Sequence, residues 1–132
     1  MPSLSGSGNA ERVRELYDLA GKGKHREVRA LLHDDVSWRP AREGAWKACE
    51  NADDVLRTLL WRAGLTRLRP ADVIDLGDRV LVELRGRGLE RLGAKGIFPR
   101  LFQIVVLRDG RVVSIQDYPR RQDALTAAGL RT

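Results

Sequence analysis

Apolar positions recur at helical spacing through the first half of this chain and at strand spacing through the second. Val13, Leu16, Tyr17 and Ala20 form one stripe. They predict a helix with Asn9 as its N-cap and Glu11 in its first turn, broken by Gly21-Lys22-Gly23. A second, shorter helix turns Val28, Leu31 and Leu32 inward, with His25 near that stripe and His33 off it, and Asp34-Asp35 end it. Val36-Ser37-Trp38-Arg39 alternates as a short strand, with Val36 and Trp38 on one side and Pro40 closing it. After an irregular stretch over 41–50, Asn51 caps a third helix aided by Asp53 and Asp54. Its stripe is Val55, Leu56, Leu59, Leu60 and Ala63, and Gly64 is expected to end it. Trp61 falls opposite that stripe between Arg57 and Arg62, where a loop or partner chain would cover it.

Beyond the third helix, residues 72–76 and 79–85 flank a Gly77-Asp78 turn and read as a hairpin. Residues 86–96 (GRGLERLGAKG) form a glycine-rich connection without the strand or the Lys-Ser/Thr ending that a nucleotide cradle requires. The strongest hairpin signal spans 101–118, where β-branched residues crowd both sides of Asp109-Gly110. A two-residue turn with regular pairing sets Arg108 opposite Arg111, Val106 opposite Val113, Ile104 opposite Ile115, and Phe102 opposite Asp117. That pairing predicts a core face of Val106, Val113, Ile104, Ile115 and Phe102 ending abruptly in Asp117. The other face, with Val105, Leu107, Val112, Gln103, Ser114 and Gln116, is too apolar for solvent and too polar for a core. It is expected to meet its counterpart in a symmetric homodimer. Residues 121–129 close the chain with a helical turn or two.

Helices interleaved with one strand and then meandering strands make an α+β plan, a single domain over 9–132 behind a disordered lead at 1–8. In such a plan the helices cover one face of a curved sheet and leave a cone with a pocket at its open end. The net charge is +6, but the arginines fall in different elements and only Lys22, Lys24, Lys47 and Lys95 join them. Without a basic run, zinc-finger spacing or an aromatic-rich strand, a solvated surface is the expectation rather than a nucleic-acid partner. Cys49 stands alone, so no internal disulfide forms, and no apolar run is long enough to cross a membrane. A cytoplasmic location is the expectation. His25 and His33 lack a carboxylate or thiol cluster at ligand spacing, so neither a metal nor another cofactor is expected.

The segments ERVRELYDLAGKGKHREVRALLHDDVSWR, ADDVLRTLL, GDRVLVEL and LRDGRVVSIQDYPRRQDAL, in this order and spacing, cover nearly the whole chain. Together they resemble the SnoaL-like branch of the nuclear transport factor 2-like superfamily. The resemblance implies a cone of three N-terminal helices packed on a curved antiparallel sheet, and often a homodimer. It implies no single reaction, because the superfamily includes polyketide cyclases, ketosteroid isomerases, limonene epoxide hydrolases and non-catalytic transport modules. Gln116-Asp117-Tyr118 is similar to the strand on which the hydrolases and some cyclases carry a catalytic Asp, and Asp117 matches it. The hydrolases also place an Arg and a second Asp on a preceding strand. Here that strand reads Val82-Glu83-Leu84-Arg85-Gly86, without Arg-x-Asp.

Two functions follow from these residues. In the first, the pocket binds a small, mostly apolar molecule against Tyr17, Trp38, Phe102, Ile104 and Ile115, and Asp117 has a structural partner such as Arg100. In the second, Asp117 is the general acid or base of a cofactor-independent isomerase or cyclase. Burial would raise its pKa toward neutrality, and Tyr17 would donate to an oxyanion.

Overall fold

The computed structural model describes residues 8–44, 46–66, 69–86, 89 and 100–129, the side chains of 61–66 excepted. The elements run α1 (Asn9–Gly21), α2 (His25–Ala30), β1 (Leu32–Arg39), α3 (Ala52–Thr66), β2 (Arg69–Asp75), β3 (Arg79–Arg85), β4 (Leu101–Arg108), β5 (Arg111–Tyr118) and α4 (Arg121–Ala127). The strands form one curved sheet in the order β1-β5-β4-β3-β2. Neighbours from β5 to β2 are antiparallel, as the hairpins predict. β1 differs: it joins β5 in parallel, so the sheet is mixed. A parallel neighbour needs a long connection, and α3 with the rest of the sheet lies between β1 and β5.

The stripe of α1 is buried as its spacing requires. Its C-terminus closes in a Schellman arrangement: Lys24 N donates to Leu19 O at 3.0 Å and Gly23 N to Ala20 O at 3.1 Å. Gly23 supplies the left-handed turn with φ 69°. The N-terminus differs from expectation, because Gly8 takes the capping position. The side chain of Asn9 donates instead to Gly77 O at 2.8 Å, and Asp75 Oδ2 accepts Ala10 N at 3.4 Å. The turn after β2 thereby does the capping and fastens α1 over the sheet. Asn51 caps α3 as predicted, its Oδ1 accepting Asp54 N at 2.9 Å. α3 runs past Gly64 to Thr66, since one glycine weakens a helix without ending it. Leu32, Asp34 and Asp35, read as the end of a helix, belong to β1.

The hairpin turn forms as read. Asp109 and Gly110 both have positive φ (53° and 78°), and Arg108 pairs with Arg111 and Leu107 with Val112. One residue later the register breaks. Val106 pairs with Ser114, Val105 with Ile115, Ile104 with Gln116, Gln103 with Asp117 and Phe102 with Tyr118. Val113 is an extra residue in β5, a β-bulge, and every pair beyond it moves by one. Because strand side chains alternate, that step turns the whole of β4 over relative to regular pairing. Leu101, Val105 and Leu107 therefore enter the main core with Val112 and Ile115, beneath α1, α2 and α3. Phe102, Ile104 and Val106 go to the opposite face with Leu81 and Tyr118, where Ala124, Leu125 and Ala128 at the α4 end of the chain pack on them. The face expected to form a dimer is thus split: Val105, Leu107, Val112 and Gln103 are core, while Ser114 and Gln116 oppose Val106 and Ile104 on the other side.

The Arg12 side chain lies over the turn, so a Cβ built on Gly110 would sit 2.7 Å from Arg12 Nε. Gly110→Ala is expected to lower stability by about 1–2 kcal/mol, the cost of a left-handed non-glycine residue. Urea denaturation checks this, and an unchanged midpoint contradicts the turn geometry.

Candidate functional site

The bulge brings a group of buried polar side chains together on the concave face. Asp117, Gln103 and Trp38 are each 0% exposed and Tyr17 is 3% exposed. Each comes from a different element: Tyr17 from the inward stripe of α1, Trp38 from β1, Gln103 from β4 and Asp117 from β5. Gln103 and Asp117 are cross-strand partners, and Trp38 pairs with Ile115, two positions before Asp117 on the adjacent strand. Backbone pairing alone therefore brings three of the four to one spot.

The hydrogen bonds run through the group in one chain. Trp38 Nε1 donates to Asp117 Oδ1 at 2.8 Å, and Gln103 Nε2 donates to the same oxygen at 2.8 Å. The amide oxygen of Gln103 accepts the hydroxyl of Tyr17. Gln103 is thus oriented at both ends, its NH2 toward the acid and its carbonyl toward the phenol. Trp38 is held in turn: its backbone exchanges two 2.9 Å hydrogen bonds with Cys49, and its ring meets Trp46 edge-on at 5.3 Å. Burial is the largest influence on the Tyr17 phenol and raises its pKa well above the usual range. A negative charge on Asp117 adds to this, and the hydrogen bond with Gln103 partly offsets it. Tyr17 therefore holds its proton and donates it inward to Gln103.

The residues named from sequence divide accordingly. Tyr17, Trp38, Ile115 and Asp117 share the concave face. Phe102 and Ile104 do not, because the bulge at Val113 carries them to the α4 side. Arg100 is exposed while Asp117 is fully buried, and Asp117 Oδ1 accepts from two neutral donors, Trp38 and Gln103. Gln103 escapes a reading from sequence: regular pairing places it on the opposite face, and only the bulge brings it to Asp117. On β3 the inward residues Val80, Val82 and Leu84 are apolar. Glu83 pairs with Phe102 on the opposite face and is bound there by Arg85, with 2.9 Å contacts. Among the described residues, no group of three or more His, Cys, Asp and Glu could hold a metal ion. His33 Nδ1 accepts Asp35 N at 3.1 Å. Trp61 lies outside the described side chains, and most of 86–96 lies outside the described residues.

The family model of the SnoaL-like domain matches residues 13–115. Among solved structures, the chain is similar to Bal32a from a soil-derived mobile gene cassette, at 20% identity and a TM-score of 0.67 over 86% of this chain and 89% of that one. An NTF2-like protein of unknown function from Mesorhizobium loti gives 18% identity and a TM-score of 0.67 over 91% and 97%. An LEH-like epoxide hydrolase from M. tuberculosis gives 16% identity and a TM-score of 0.63 over 92% and 89%. These likenesses establish the NTF2-like fold. No curated protein matches the sequence.

Two outcomes test the cluster. Asp117→Leu leaves the N–H groups of Trp38 and Gln103 without their acceptor and is expected to cost about 2–4 kcal/mol, whereas Asp117→Asn keeps an acceptor and costs about 1 kcal/mol. Equal losses in urea denaturation contradict the bonding described. The second outcome concerns alkaline pH. A folded-state pKa raised above the ordinary 10.0 contributes stability that is fully present below that value and is lost as pH rises above it, because the unfolded Tyr17 ionises first. Stability should fall by about 1.4 kcal/mol per pH unit from this group alone. Tyr17→Phe should flatten the fall, and parallel curves for the two proteins contradict the assignment.

Proposed function

The chain belongs to the SnoaL-like domain family, and from that premise we propose that it binds a small, mostly apolar molecule on the concave face of its sheet. In this reading the Trp38–Asp117–Gln103–Tyr17 cluster forms the floor of the site and does not perform acid–base chemistry. The observation that carries the reading is the state of Asp117: no exposure, and one carboxylate oxygen already receiving two N–H donors. A general base must reach a substrate proton, and an oxyanion donor must have its hydrogen free. Here the Tyr17 hydrogen is committed to Gln103, and the inward face of β3 offers apolar side chains where a second acid would stand. The core residues packed around the cluster, Val13, Leu16, Ile115, Val55 and Leu59, are apolar, so a site opening among them would suit a carbon skeleton.

One observation favours the alternative, a cofactor-independent isomerase or cyclase. An acid and a phenol lie in one hydrogen-bonded group on an otherwise apolar face, the arrangement from which proton transfer next to a carbonyl is built. Opening of the site would then free Asp117 for the substrate. A homodimer belongs to the same proposal. Partly buried Ile74, Leu76, Val106 and Tyr118 beside α4 offer it an apolar surface. Light scattering that shows a monomer at tens of micromolar counts against the dimer.

Exchange of the α-protons of a cyclic enone into D2O separates the two readings. The binding reading predicts equal rates for wild type and Asp117→Asn, together with a shift of the Trp38 indole resonance when a neutral naphthalene-type probe binds. A wild-type rate well above the Asp117→Asn rate makes the protein an acid–base catalyst and overturns the binding reading.

A further inference from the structure

A groove of about 460 Å³ opens between α2, α3 and the starts of β1 and β5, and shares no residue with the Asp117 cluster. Its apolar part is Ala30, Leu32 and Leu56, and its polar part is His25, Arg26, Arg29 and Arg111. The apolar part is anchored, since Leu32 is 1% exposed and pairs with Val112 across β1 and β5. Four residues able to carry positive charge, from two distant stretches of sequence, thus surround a hydrocarbon surface.

The carboxylates near this groove gather at one arginine. Arg29 donates to Asp34 Oδ1 at 2.7 Å and to Leu32 O at 3.3 Å, and lies 3.8 Å from Asp53. The Arg29 hydrogen bond and charge hold the Asp34 carboxyl below its usual range, with His33 and Arg111 adding to the effect, so two arginines act on one acid. Arg26 and Arg111 are exposed, and among the described residues neither has a carboxylate within ion-pair distance. Three permanent cations therefore face one recess, and among the described residues the ion pairs made there, to Asp34 and Asp53, are those of Arg29. Such an excess favours an anion, and the planar fork of arginine suits carboxylate and phosphate oxygens. The volume is that of a small-molecule site. A nucleic acid would require cations strung along a strand path, and those of this chain are spread over separate elements.

We propose that this groove binds a small amphipathic anion, with a carboxylate or phosphate head at Arg26, Arg29 and Arg111 and an apolar skeleton on Ala30, Leu32 and Leu56. The site is independent of any ligand on the concave face.

Calorimetric titration of the full chain tests this with octanoate, octyl phosphate, 1-octanol and inorganic phosphate. Both amphiphilic anions should bind, each at least about tenfold more tightly than 1-octanol and inorganic phosphate, and the tighter of the two identifies the head group. The double variant Arg26→Gln/Arg111→Gln should weaken that binding by about tenfold or more and leave thermal melting nearly unchanged. Tyr17→Phe should leave amphiphile binding as it is. Undiminished binding in the double variant overturns the proposal, and so does an equal loss in Tyr17→Phe, which would put the anion on the concave face. Inorganic phosphate binding as tightly as octyl phosphate, or displacement of octanoate by a glutamate-rich peptide at lower concentration, also overturns it.

Discussion

Gln103 and Asp117 face each other across two adjacent inner strands, β4 and β5, and the interior of this domain depends on that pairing. An acid with no solvent exposure is costly to keep unless donors reach it. Gln103 supplies one donor from the neighbouring strand and Trp38 another from the parallel strand beyond. The far end of Gln103 then draws in the phenol of Tyr17, so α1 is tied to the middle of the sheet by a polar contact as well as an apolar stripe. Four elements meet at one carboxylate. Removing it strands donors; replacing it by an amide retains most of the pattern.

The same pairing sets the chemistry open to the domain. Tyr17, pushed away from ionisation mainly by burial, is a donor with its hydrogen directed inward. Asp117 has its Oδ1 filled by indole and amide hydrogens. Groups so engaged determine shape and polarity at the base of the concave face more readily than they exchange protons with a substrate. The cationic groove at α2 is a different environment, since Arg26 and Arg111 are exposed there while the half-buried Arg29 pairs with Asp34 and Asp53.

Much of this was legible in the sequence. The α1 stripe, the Asn51 cap, both hairpin turns and the inward aim of Trp38 and Asp117 follow from periodicity and turn chemistry. Two features were not. The parallel placement of β1 depends on a strand more than 70 positions away, and no local pattern encodes such a partner. The bulge at Val113 lies opposite a β4 that is apolar apart from Gln103 between Leu101 and Leu107, so regular pairing and a one-residue shift both place apolar side chains on both faces of β4. Gln103, the polar residue of that stretch, is what distinguishes the two registers. Its burial is satisfied when Asp117 is opposite and not when it is turned outward, so the polar pair could have exposed the shift.

Hydrogen exchange at the Trp38 indole N–H, followed by NMR, tests the arrangement most directly. The three tryptophans give three indole signals, and Trp38→Phe assigns the one in question. The account predicts that this hydrogen exchanges only when the whole domain unfolds, with the denaturant dependence of global unfolding, and that Asp117→Asn moves its resonance. Fast exchange in native buffer, or a resonance indifferent to Asp117→Asn, would contradict the buried Trp38–Asp117 bond on which the reading of the site rests.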